Sequence, residues 1–213
     1  MTEKEYFAFL ERNGQFHKRV NGNLAELIPY PEPRFDLAMK SALLSAEHGA
    51  AAFELIANQY HAPGYTLLRT QFECLVRGIW LLHAASDSWI EKLSQPLTEE
   101  SAEASKDALM LDKMLKALRS VETAPTPILD QLEECRNAMW KALNSYTHGG
   151  FHPLARIETG YPIQLSYNVL RNSNAILALT SQLAAIVTGN PNNMTPVRSL
   201  HSEFADCLPI ISQ

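Results

Sequence analysis

Cysteine is scarce and scattered in this 213-residue sequence: Cys74, Cys135 and Cys207 are odd in number and far apart. That excludes a disulfide framework and any local C-x-x-C metal or redox pair. Glycine (9) and proline (12) stand at ordinary levels. No tract is dominated by Gly, Pro, Ser or Gln, so collagen-like, low-complexity and disordered classes fall away. Long apolar runs are missing too. The greasiest stretch, Ala175 to Val187, is interrupted by Thr180, Ser181 and Gln182 and is too short to span a bilayer. Met1 to Glu5 show no basic segment leading into an apolar one, so no secretory signal is expected. Reduced thiols without a leader or a span make the cytoplasm the expected compartment, with no membrane partner.

What is present is a globular composition, 46% apolar and 19% charged, enough to bury a core without staples. The net charge of −5 is unevenly spread. Residues 84–135 carry −6, whereas 62–83 carry +1 and 136–213 carry +2. A general coat for nucleic acid needs a broad basic field, which is absent, although a local basic pocket remains open.

Apolar residues recur at spacings of three and four from end to end, and no window alternates with period two, so the sequence predicts an all-α fold. One single-domain bundle of about seven to nine helices is expected. Residues 1–33 would form an N-terminal helical arm, capped by Thr2, with Tyr6, Phe7 and Leu10 on its apolar face and a pause at Gly14. Residues 34–94 would form the core hairpin. Its first helix, about 35–60, carries the small residues Ala38, Ala42, Ser45, Ala46, Gly49, Ala50 and Ala52, which permit close helix approach. Its second begins at Pro63 and is apolar around nearly its whole circumference, the mark of a central helix. An acidic peripheral region follows at 95–126, including a helix over 98–122. Residues 127–190 would form a second hairpin whose helices are joined by a loop over 149–162, where three glycines and two prolines show no periodicity. A C-terminal helix closes 191–213.

Two groups of polar residues stand out against this apolar pattern. Arg69, Glu73 and Arg77 lie at i, i+4 and i+8 on the central helix and share one stripe. Such a stripe either faces water or lines a cleft, where arginine's planar fork suits an anion. His148 ends a helix just before Gly149-Gly150. It is either a residue that complements the helix dipole beside a glycine C-cap, or a candidate general acid or base with Asn144 one turn back to orient it. His152 follows four residues later, but the paired glycines argue against a helical His-x3-His metal site, and no metal is expected. Gln164, Asn168 and Arg171 share a face of the following helix. Phosphate-cradling, dinucleotide and nucleophile-elbow motifs are all missing, so no cofactor is expected.

The segment Arg69-Thr70-Gln71-Phe72-Glu73-Cys74-Leu75-Val76-Arg77-Gly78-Ile79-Trp80 and the helix end Ser145-Tyr146-Thr147-His148-Gly149-Gly150 resemble a group of uncharacterised bacterial all-helical proteins described as HEPN-like, over about residues 35–190. The resemblance implies a helical bundle, a homodimer and, in the catalytic branch of that superfamily, metal-independent RNA cleavage in defence or toxin systems. It departs at the Arg/His motif: Arg136-Asn137 is followed by a histidine, His148, only after eleven intervening residues, where that superfamily has a spacing of four to six. Two readings follow. In one, His148, Arg77 and Glu73 act on an RNA or nucleotide phosphate, with Arg69, Asn144, Ser145, His152 and Arg171 binding it. In the other, the chain is a non-catalytic helical module that binds a partner, such as another protein, or regulates. Whether it is an enzyme is left open by the sequence.

Overall fold

The computed structural model describes residues 1–105 and 109–209. Its helices are α1 (Glu3–Ala25), α2 (Pro33–Ala57), α3 (His61–His83), α4 (Asp87–Leu93), α5 (Glu99–Ala104), α6 (Leu111–Arg119), α7 (Thr126–Thr147), α8 (Phe151–Thr159), α9 (Ile163–Ile186) and α10 (Met194–Glu203). No strand occurs among the described residues. The all-α expectation is met.

α1 opens on a reciprocal capping box. Thr2 Oγ1 accepts from the Glu5 amide at 3.3 Å, and Glu5 Oε2 accepts from the Thr2 amide at 2.7 Å. The helix runs through Gly14 without a break, and its buried face is Tyr6, Phe9, Phe16, Val20 and Leu24, while Phe7 is exposed. The expected pause at Gly14 is thereby corrected: one glycine costs a helix only about 1 kcal/mol, and the apolar stripe on both sides buries far more than that.

α3 is the central helix. It packs on α2, α6, α7 and α9 and buries Tyr65, Leu68, Phe72, Leu75, Val76, Ile79 and Trp80. Its tightest neighbour is α2, and the small residues of α2 make that possible. Ala38, Ala42, Ala46 and Ala52 are buried, Ser41 Oγ donates to the Cys74 carbonyl at 2.8 Å, and Ser45 Oγ donates to the Gln71 carbonyl at 2.9 Å. These serines thus satisfy their own polar groups inside an apolar contact. Gly78 lets α2 and α9 close in on α3. A Cβ there would stand 2.6 Å from Leu183 Cδ2 and 3.3 Å from the Ala38 carbonyl oxygen.

Two connections differ from expectation. The expected helix over 98–122 contains two shorter ones, α5 and α6. α5 is capped by Thr98 and buries nothing, while α6 buries Leu111, Met114, Leu115 and Leu118. The expected loop over 149–162 is largely helical. Gly149 and Gly160 take positive φ (63° and 74°) on either side of α8, and Pro153 sits in its first turn, where a missing N–H is harmless.

Candidate functional site: the α3–α7 edge

α3 and α7 pack side by side, which sets two i, i+4, i+8 stripes against each other. From α3 come Arg69 and Glu73; from α7 come Trp140, Asn144 and His148, the last being the residue that caps the helix. Arg69 Nε donates to Glu73 Oε1 at 3.0 Å, and Arg69 Nη1 lies 2.9 Å from His148 Nε2. A guanidinium has no acceptor, so Nε2 accepts, and a neutral His148 carries its proton on Nδ1. The Arg69 guanidinium also sits over the Trp140 ring, 4.9 Å from its centroid, a cation–π contact that adds a third restraint on the fork. Its second terminal nitrogen, Nη2, makes no hydrogen bond among the described residues.

The remaining candidates are placed differently. Arg77, one turn beyond Glu73, is half-buried and makes no ion pair or hydrogen bond among the described residues. Glu73 therefore pairs with one arginine and not with two. Asn144 holds His148 through the backbone, its carbonyl oxygen accepting from the His148 amide at 3.1 Å, while its Oδ1 is buried without a partner. Ser145 Oγ accepts from the His152 amide at 3.0 Å and so caps α8. The His152 ring lies 6.2 Å from that of Tyr146. Arg171 is tied elsewhere: it donates to the Leu208 carbonyl and lies over Tyr167, 5.2 Å from the ring centroid. Gln164 and Asn168 pair with each other at 3.0 Å. Arg69, Glu73 and His148 thus come together, whereas Arg77 and Arg171 stand apart from them.

Next to this edge is a nest of aromatic and hydroxyl groups that sequence reasoning did not single out. Tyr65 meets Tyr146 edge-on at 5.1 Å and Tyr161 at 5.6 Å, and His61 stacks on Tyr161 at 4.6 Å. The Tyr65 hydroxyl and Ser166 Oγ share a hydrogen bond of 2.9 Å, and Ser166 Oγ lies 3.3 Å from His61 Nδ1. Burial raises the phenols of Tyr65, Tyr146 and Tyr161 and lowers the His61 imidazole, so the nest is uncharged at neutral pH. Ser166 beside a histidine has the atoms of a nucleophile and base, but it is buried and holds the nest together. The nest is assembled from α3, α7, α9 and Tyr161 just ahead of α9, so no local spacing in the sequence marks it.

Chemically, the edge offers a guanidinium over an indole, an exposed imidazole and a carboxylate that fixes the guanidinium. This set can hold an anion or stack a ring. No group of three or more His, Cys, Asp or Glu among the described residues is placed to hold a metal ion. No described helix is long and apolar enough to cross a membrane.

Residues 42–210 match the model of a family described as "Family of unknown function (DUF6988)", and the chain belongs to that family. Neither the curated proteins nor the solved structures provide a match.

Proposed function

We propose that this member of the family is a helical binding module that pairs with a second copy of itself through α8, beside the Arg69–His148 edge. The observation that carries this reading is the exposure of α8. None of its nine residues is buried, and Phe151, Leu154 and Ile157 are 79%, 65% and 79% exposed. Spaced by three, they form a single stripe. A helix this short is marginal in water by itself, and one that turns its apolar stripe outward needs cover.

The stripe is self-complementary. Phe151 and Ile157 each lie three residues from Leu154, so antiparallel pairing about a two-fold axis at Leu154 sets Phe151 against the partner's Ile157 twice. Residue i meets j and j meets i, as an isologous contact requires. Burying only six such side chains favours pairing but must exceed the loss of translational and rotational freedom on association. The dimer is therefore one of modest affinity. Sedimentation equilibrium tests it: the wild type forms a reversible dimer at about 100 µM, an affinity of this order being worth roughly 5–6 kcal/mol, and Leu154→Glu is monomeric with unchanged helicity. A wild type that stays monomeric at that concentration overturns the reading.

A second reading rests on Arg69, whose Nη2 is unpaired above Trp140 at the exposed edge. It is the group best suited to a nucleotide or RNA phosphate, as the HEPN-like resemblance implies. His148 would serve there as a binding group. Its Nε2 lone pair is engaged by Arg69, so proton transfer at that atom requires the contact to open first. Fluorescence anisotropy with labelled single-stranded RNA separates the cases. Salt-dependent binding lost in Arg69→Gln supports this reading, and no binding at low salt removes it.

A further inference from the structure

α7 and α9 do not close on each other along their length. Between them and α10 lies a cavity of about 200 Å³. Its walls are Cys135, Ala138 and Met139 of α7 and Ala175, Ala178 and Leu179 of α9. The three alanines provide the room. An apolar cavity of about 150 Å³ accepts a benzene ring, so this one has space for a ring with a short arm. Desolvation keeps the Cys135 thiol above its ordinary value, which makes it a neutral wall and not a nucleophile at neutral pH.

Among the described residues, Glu134 is the one Asp, Glu, Lys or Arg that lines the cavity. It makes no ion pair among the described residues. Of the nearby basic groups, Arg136 is paired with Asp112, while Arg171 donates to the carbonyl of Leu208, itself a lining residue, and keeps its charge behind that wall. His201 and the Asn172 amide complete the rim, and desolvation lowers the His201 imidazole, so it stands neutral at neutral pH. An apolar chamber whose one charged lining side chain is an unpaired carboxylate favours a cation over a fatty acid or a phosphate.

We propose that this cavity binds a small organic cation with an apolar body, of the arylalkyl-ammonium class, with the ring between α7 and α9 and the ammonium against Glu134. The site is separate from α8 and from the Arg69–His148 edge, so its fate does not depend on theirs.

Isothermal titration of the full chain at neutral pH with three nearly isosteric probes tests this: phenethylammonium, phenethyl alcohol and phenylacetate. The ammonium binds, the alcohol binds roughly two- to fivefold more weakly, a difference suited to one exposed ion pair, and phenylacetate does not bind. Glu134→Gln brings the ammonium down to the alcohol, and Ala138→Leu, at an exposed position, abolishes binding of both by filling the mouth. The proposal is overturned if no probe binds the wild type, if phenylacetate binds as tightly as the ammonium, or if Glu134→Gln leaves the preference unchanged.

Discussion

Arg69 and His148, 79 residues apart in the chain, meet with Nη1 and Nε2 separated by 2.9 Å, and the contact joins the middle of α3 to the end of α7. It is one of three restraints on the same guanidinium, the others being Glu73 and the Trp140 ring.

That redundancy sets the cost of removing each partner. His148 is exposed, and without it Arg69 keeps Glu73 and Trp140, so His148→Ala should lower stability by no more than about 0.5 kcal/mol. Glu73 and Arg69 have side chains 34% and 22% exposed, between a surface pair and a buried one. Glu73→Ala should therefore cost about 0.5–1.5 kcal/mol. Urea titrations of both variants provide the check. A loss above about 3 kcal/mol for Glu73→Ala would mean a fully desolvated pair, contrary to the exposure seen here.

The central helix should answer very differently. Phe72 and Trp80 are almost completely buried among α2, α6, α7 and α9, and truncation of either to alanine leaves a large void. Each should cost roughly 3–5 kcal/mol. Urea midpoints close to wild type would contradict the central placement of α3.

Much of this architecture is legible in the sequence because its punctuation is strong. Pro29 and Pro31 separate α1 from α2, which opens on Pro33; Pro125 precedes α7 and Pro127 sits in its first turn; and Gly189-Asn190-Pro191 follows the end of α9, each where a donor is lost or a left-handed residue is needed. α8 is illegible for the same reason. Its glycines and prolines read as loop, yet they stand at its ends and in its first turn, and the three apolar residues of its stripe are too few to register as periodicity. At the site, Arg69 and Glu73 are visible as an i, i+4 pair. Their meeting with His148 and Trp140 is a product of how α3 packs on α7, which no local spacing encodes.

The α2–α3 contact supplies a prediction with a built-in control. A Cβ on Gly49 would lie 2.6 Å from Gln71 Nε2, and Gln71 cannot swing aside freely. Its Nε2 donates to the Ser173 carbonyl at 3.0 Å, and its Oε1 accepts from Ser173 Oγ at 2.8 Å. Helix propensity favours alanine by about 1 kcal/mol, whereas overpacking and disturbed buried hydrogen bonds cost roughly 2–4 kcal/mol. Gly49→Ala should destabilise by about 1–3 kcal/mol. Gly22, with nothing within 4 Å of its would-be Cβ, should instead gain up to about 1 kcal/mol as Gly22→Ala. Equal effects at the two sites would show that the Gln71 clash does not matter.

The last prediction concerns acid. His17 is buried on α1, stacked on Phe53 at 4.8 Å, with neither ring nitrogen in hydrogen-bond geometry. Desolvation lowers its imidazole to about 4, and the nearby Asn174 carboxamide offsets only part of that. In the unfolded chain the same group takes a proton near its ordinary value of about 6.5. The folded state therefore binds fewer protons between these values, and stability rises with pH across that window. Its contribution is complete above about pH 6.5 and is lost as pH falls toward about 4, a total of about 3 kcal/mol. His61 and His83, also lowered by desolvation, add smaller slopes of the same sign. His17→Phe keeps the ring in its stack and removes the titration, so its urea stability should fall less steeply than that of wild type over the same pH range. Carboxylates contribute equally to both proteins and cancel in the comparison. Parallel curves for the two would show that His17 is protonated in the folded state at no cost, and with it that the interior of α1 is not dry.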